Sequence, residues 1–167
     1  ARGVPVLAEL ELGWRRCRAV RTIAVSGSNG KSTAVRLITD AARIAGVRVV
    51  AGGNGGPPAC TLALEHAAPD VLVLEVSSFQ LEGCVEFRPD VAVLLNVQPN
   101  HLDRHGTYEA YREVKTRLWN CQRAEDTVIV PVEQAAELVV VRAPRGRLIT
   151  FGASPAADVR YAAGMIV

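Results

Sequence analysis

Short unbroken apolar runs alternate along most of this chain with segments whose apolar residues recur every three or four positions. "TIAVSG" (22–27), "VRVVAGG" (47–53), "DVLVLEVSS" (70–78), "DVAVLLNV" (90–97) and "TVIVPV" (127–132) read as strands. "KSTAVRLITDAARIAG" (31–46) reads as a helix ended by Gly46, "NGGPPACTLALEHA" (54–67) as a loop entering a helix, and "TYEAYREVKTRLWNC" (107–121) as a helix capped by Thr107. Toward the end the pattern predicts a short helix over 133–138, then strands near "LVVVRA" (138–143), "RLITFG" (147–152) and "DVRYAAGMIV" (158–167). Runs of Val, Ile and Leu without polar alternation belong to strands buried on both faces. The expected fold is therefore α/β, a doubly wound and mostly parallel sheet, with no internal repeat. In such sheets ligands bind beyond the carboxyl ends of the strands. The polar clusters 26–31, 75–80 and 96–105 each follow a strand, so all three should meet at that edge.

Composition narrows the classes. With 167 residues, 49% of them apolar, the chain can bury one sizeable core. A net charge of +2, with arginines scattered among acids, lacks the basic excess of a nucleic-acid binder, so no nucleic acid is expected as partner. Four widely spaced cysteines without a C-x-x-C pair suit reduced thiols, and no apolar run is long enough to span a bilayer. A cytoplasmic protein without a membrane partner is expected. Its sole methionine is Met165 and its last residues are apolar, so the sequence reads as a segment of a longer protein.

The chemistry concentrates in three places. In "AVSGSNGKST" a strand, two glycines and a helix start place backbone N–H groups around an anion, with Lys31 able to reach terminal phosphates and the Ser32 hydroxyl able to ligate Mg²⁺. The position six before Lys31 is Val25, so the generic G-x-x-x-x-G-K-[ST] spacing is not met. In "DVLVLEVSSFQLE", Glu75 ends an apolar strand, where an unpartnered carboxylate would be costly and a metal would supply the partner. Ser77, Ser78 and Gln80 then line a loop, with Phe79 as a packing anchor. In "LNVQPNHLDRHGTYEAY", His101 can ligate a metal and Asp103 can orient it. His105 is read as a cap of the turn before Thr107, and His66 as bland.

Lysine usage singles out one more residue. Of 19 basic residues 17 are arginine; the two lysines are Lys31 and Lys115. Lys115 shares a helix face with Tyr111, Leu118 and Trp119, a setting that buries the amine, lowers its pKa and makes it nucleophilic. Such an amine can add CO₂ to become an anionic carbamate; arginine cannot.

Together these stretches resemble the central, ATP-binding domain of the Mur ligases of peptidoglycan synthesis, whose phosphate loop is a short G-T/S-N-G-K-S/T. "GGNGGPPA", "LEVSSFQLE" and "LNVQPNHLDRHGTYEAY" look most like the branch that adds D-glutamate. The resemblance implies ATP and Mg²⁺ as cofactors: Gly27, Ser28, Asn29, Gly30, Lys31, Ser32 and Thr33 would cradle the phosphates, and Ser32 and Glu75 would hold one Mg²⁺. Glu75, His101 and a carbamoylated Lys115 would address a second, making Lys31, Lys115 and His101 the catalytic set. Asn54, Ser77, Gln80 and His101 would face UDP-N-acetylmuramoyl-L-alanine, with D-glutamate as the second substrate. Residues 1–15 would be the end of an N-terminal uridine-binding domain and 16–167 a central domain cut short at its C-terminus, both outer domains of the enzyme being needed for the full reaction. Alternatives are a module that binds Mg-ATP without ligating, and a related amide ligase with another acceptor. One departure stands out. The family's usual G-N-I-G is Gly53, Asn54, Gly55, Gly56 here, which predicts a looser substrate loop.

Overall fold

A computed structural model describes residues 3, 4, 6–17, 19, 21–65, 68–162 and 164–166. In chain order the elements are α1 (Glu9–Arg16), β1 (Arg21–Ser26), α2 (Lys31–Ile44), β2 (Val49–Gly53), α3 (Ala59–Glu65), β3 (Val71–Glu75) and α4 (Ser78–Glu82). There follow β4 (Val91–Leu94), α5 (Leu102–His105), α6 (Tyr108–Thr116), a 3₁₀ turn (Arg117–Trp119), β5 (Thr127–Pro131), α7 (Val132–Val141), β6 (Arg147–Gly152), β7 (Val159–Ala162) and β8 (Met165–Ile166).

The sheet order is β2-β3-β1-β4-β5-β6-β7-β8, parallel throughout except for the β7–β8 hairpin. This is the expected α/β class. Because β1 lies between β3 and β4, the chain departs to one side and then to the other, leaving a crevice above the carboxyl end of β1.

Alternate strand positions are buried on both faces. Ala24, Leu72, Leu74, Ala92, Leu94, Val128 and Val130 join Leu10, Leu62, Leu81, Tyr111, Leu118 and Leu138 in the main core. Val25 and Val73 are equally buried, and α2 packs against β1, β2 and β3. Absence of polar alternation in the sequence is the signature of this double cover.

The segment 138–143 is not a strand: most of it completes α7, which runs from Val132 to Val141. Its valine run has the local preference of a strand, but β5 and β6 pair in parallel, and a parallel pair needs a crossover on the sheet face. Val140, 87% exposed, shows how little burial that run achieves. The last predicted strand is two, reversing at Gly164. Thr107 caps α6 as expected, accepting a bond from the Ala110 N–H at 3.1 Å.

The helix α1 is tied in by Glu11, which is fully buried. Its carboxylate accepts from the N–H groups of Val85 and Glu86 and from the Arg15 guanidinium. Burial pushes the Glu11 carboxyl up, but these three donors outweigh it and hold it below the usual value of 4.5. A depressed carboxyl stabilises the fold above its unfolded pKa and loses that contribution as pH falls through the folded value. Glu11→Ala, which leaves two N–H groups without an acceptor, is expected to cost about 1–3 kcal/mol in chemical denaturation near neutral pH. The difference from wild type should shrink in acid. No helix among the described residues is long and apolar enough to cross a membrane, and all four cysteines are unbridged.

Candidate functional site

The three polar clusters meet at the carboxyl ends of β1, β3 and β4. After Ser26 the chain turns through Gly27 and Gly30 and enters α2 at Lys31, with no side-chain cap on that helix. Gly30 occupies the left-handed region, at φ +83°, where a side chain would be strained. The uncapped N–H groups and the positive end of the helix dipole face the loop.

Residues after β4 hold this loop in shape. The Ser28 hydroxyl donates to the Gln98 carbonyl at 3.1 Å and accepts from the Gln98 N–H at 2.9 Å, with the Tyr111 hydroxyl 3.2 Å away. The Asn29 N–H donates to the Asn96 side chain at 3.0 Å, and Asn96 returns a bond to the Asn29 carbonyl at 3.2 Å. Sequence reasoning assigned no role to Asn96 or Gln98. The signal was their place in a polar run directly after an apolar strand. The Lys31 ammonium lies 3.0 Å from the Gly27 carbonyl and 3.2 Å from that of Ser28.

Glu75 sits at the end of β3, 4% exposed. Its Oε2 accepts from the Ser32 hydroxyl at 2.7 Å and its Oε1 from the Asn54 side-chain amide at 2.9 Å. Adjacent hydroxyl and carboxylate oxygens suit a hard cation such as Mg²⁺, which retains waters and takes phosphate oxygens to complete its shell. Among the described residues there is no cluster of three or more His, Cys, Asp or Glu side chains able to hold a metal by themselves.

Lys115 is 1% exposed, below the loop. Its amine donates to the Ser26 hydroxyl and the Gly27 carbonyl, each at 3.1 Å, and lies over the Tyr111 ring at 5.3 Å. Ser26 gives its own proton to the Val76 carbonyl at 2.7 Å, which leaves a lone pair for Lys115. Burial, then the nearby Lys31 charge, lower the Lys115 pKa to about 7, against a weaker upward pull from Glu75. A lysine depressed from 10.5 to about 7 binds fewer protons in the folded state across that window, so its contribution to stability rises with pH there and is least favourable below it. Wild type is expected to gain stability relative to Lys115→Met as pH rises from 7 to 10.5 in CO₂-free buffer, followed by thermal denaturation. Parallel curves for the two proteins would contradict a buried, depressed amine.

A cavity of about 200 Å³ joins Lys115 to Gly27, Lys31, Asn54, Ser77 and His101. His101 is exposed at its rim, in the left-handed region at φ 52°. Asp103 does not orient it: among the described residues Asp103 makes no hydrogen bond and lies exposed on the first turn of α5. Ser77 and Gln80 are not on a loop. They form the capping box of α4, in which the Ser77 hydroxyl accepts from the Gln80 N–H and the Gln80 side chain accepts from the Ser77 N–H, a pairing readable from the S-x-x-Q spacing. Phe79 is no core anchor either. Since α4 buries Ser78 and Leu81, Phe79 faces outward, 43% exposed, edge-on to His101 at 5.0 Å. His105 connects elements instead of capping a turn: its ring nitrogens stand 3.1 Å from the Ser78 hydroxyl and 3.2 Å from Glu82. His66 lies outside the described residues.

The Mur ligase middle domain family matches residues 25–166. The UDP-N-acetylmuramoylalanine–D-glutamate ligase of Nitratidesulfovibrio vulgaris (strain DP4) is 45% identical over 152 residues, 91% of this chain and 35% of that protein. The ligase of the same name from Streptococcus uberis is 35% identical over 96% of this chain, again 35% of that protein. The chain thus spans about a third of the length of these relatives. Among solved structures, the MurF ligase of Thermotoga maritima in complex with ADP superposes with a TM-score of 0.71 at 20% identity, covering 94% of this chain and 39% of that one. E. coli FolC in complex with DHPP and ADP gives 0.69 at 18% identity, covering 97% and 50%. These two share the fold. With the family match extending over most of the sequence, phosphate loop and both candidate metal oxygens included, the chain belongs to the Mur ligase middle domain family.

Proposed function

We propose that this chain is the ATP-binding part of a cytoplasmic ligase that joins D-glutamate to UDP-N-acetylmuramoyl-L-alanine. The observation that carries the reading is the convergence of Lys31, Ser32, Glu75 and the buried Lys115 around one loop and cavity at the carboxyl edge of the sheet. The names of the sequence relatives point to the substrates, and two solved structures of the same fold are complexes with ADP, which supports a nucleotide site.

In this reading the loop 27–33 would hold the ATP phosphates through the uncapped N–H groups at the start of α2 and the Lys31 ammonium, and Ser32 and Glu75 would hold Mg²⁺. When bound, Mg²⁺ supplies positive charge where a carboxylate and a polyphosphate would otherwise repel. A carboxylate oxygen of the muramoyl substrate attacks the γ-phosphorus and ADP leaves, forming an acyl phosphate. The D-glutamate amine then attacks the acyl carbon, phosphate departs and the amine loses a proton. Asn54, Ser77, Gln80 and His101 face the muramoyl substrate. Lys115, whose amine is part-neutral near pH 7, can add CO₂ with loss of a proton, and its carbamate, Glu75 and His101 would be the residues to hold a second Mg²⁺, which would supply further positive charge. The ATP-binding unit is not 16–167 alone but takes in α1, whose Leu10 lies in the main core and whose Glu11 is buried; a uridine-binding domain ahead of α1 and a C-terminal domain with the remaining acceptor contacts complete the ligase.

Calorimetric titration of the chain with ATP tests the reading. Binding that requires Mg²⁺ and occurs without ATP turnover is expected; absence of binding with Mg²⁺ present would remove the nucleotide site from this chain.

A further inference from the structure

Glu75 is enclosed by the loop that follows β2, and the enclosure depends on two glycines for different reasons. Gly53, at φ +99°, faces the Glu75 backbone: a β-carbon there would stand 2.2 Å from the Glu75 carbonyl oxygen. That glycine is required by the fold. Gly55 is not in the left-handed region, so its backbone would accept an alanine. The nearest obstacle is the Glu75 side chain. A β-carbon at 55 would lie 2.5 Å from Oε2, 3.0 Å from Cδ and 3.2 Å from Oε1, well inside the roughly 3.5 Å of an ordinary contact.

We propose that Gly55 is a positioning residue: its missing side chain gives the Glu75 carboxylate its place between Ser32 and Asn54. The proposal builds on the reading of Glu75 as the magnesium carboxylate. Asn54 fixes one side of this place, donating its N–H to the Glu75 carbonyl at 2.9 Å and its side-chain amide to Oε1. Ser32 fixes the other through Oε2. Gly55 also lines a cavity of about 270 Å³ between α2 and β2, which Ser32 and Glu75 line with it. The carboxylate thus rests on a spot that any side chain at 55 would claim.

Glu75 is the flexible partner in this contact, so Gly55→Ala should turn the carboxylate without unravelling β2 or β3. Three measurements decide the matter. In a crystal structure of Gly55→Ala the 2.7 Å bond from Ser32 to Glu75 should be broken; retention of both the Ser32 and Asn54 bonds would overturn the proposal. In a double-mutant cycle, Gly55→Ala should lower Tm by about 2–4 °C in the wild-type background and leave it unchanged beside Glu75→Ala. Equal losses in both backgrounds would make Gly55 a backbone residue only. If Gly55→Ala alone fails to fold, rescue by Glu75→Ala supports the proposal and failure in both backgrounds defeats it. Finally, Gly55→Ala should raise the Mg²⁺ concentration for half-maximal ATP binding by about 10-fold, with ATP binding at saturating Mg²⁺ unaltered. Should Glu75→Ala leave the Mg²⁺ dependence untouched, the metal reading falls, while the cycle still decides the role of Gly55.

Discussion

Lys115→Ala, introduced into the full-length ligase, is expected to lower the ligation rate by at least about 100-fold, with partial recovery on adding formate or acetate. The expectation follows from where the amine lies. It is almost wholly buried, donates to Ser26 and Gly27 at the root of the phosphate loop, and opens onto the cavity shared with Lys31 and His101. Burial and, after it, the Lys31 charge depress the Lys115 pKa; a carbamate on this amine would place an anion beside Lys31, turning a repulsion between two cations into an attraction. Truncation to alanine leaves room for a small carboxylate to take the same position. Lys115→Arg is the sharper comparison, because it keeps a positive charge but has no amine to add CO₂ and demands a planar site with more donors satisfied. It should be as slow as the alanine variant and unresponsive to carboxylates. Full activity in Lys115→Arg would exclude the carbamate.

Lys31→Ala is expected to abolish Mg-ATP binding to this chain as measured by calorimetry, without unfolding it. Among the described residues the ammonium bonds to the carbonyls of its own loop, and charge-assisted bonds to phosphate would replace those contacts on binding. The loop's shape depends on other residues, chiefly the Ser28–Gln98 and Asn29–Asn96 bonds and the left-handed turn at Gly30. Charge and scaffold are therefore separable: Asn96→Ala should weaken binding by loosening the loop, whereas Lys31→Ala should remove it in an intact loop. Wild-type affinity in Lys31→Ala would mean that the nucleotide is held elsewhere.

The parts of this site that were legible in the sequence are those set by local rules. Gly30, Lys31 and Ser32 could be placed because a strand, a glycine turn and a helix start follow one another within ten residues. The depressed amine of Lys115 could be anticipated because helical spacing puts it beside Tyr111, Leu118 and Trp119, all of which are buried. The misreadings arose where a local preference met a tertiary requirement. Valines 139–141 have a strand's preference, but a parallel pairing of β5 with β6 forces them into a crossover helix. Phe79 looks like a core residue by type, yet the capping box that starts α4 turns Ser78 and Leu81 inward and leaves the ring at the rim. His105 has no sequence signal for its bonds to Ser78 and Glu82, since those partners lie more than twenty positions earlier.

By itself, then, the sequence determined the fold class, the strand and helix order around the loop and the residues able to do chemistry, because periodicity and turn chemistry act over a few residues at a time. Only the tertiary structure decided that Ser32 and Asn54 meet the same carboxylate, that Ser26 receives the Lys115 amine, and that Gly55 is empty so that Glu75 can be where it is. Those contacts join residues 20 to 89 positions apart. They follow from which strands lie side by side, a choice made by burying the whole sheet and not by any one segment.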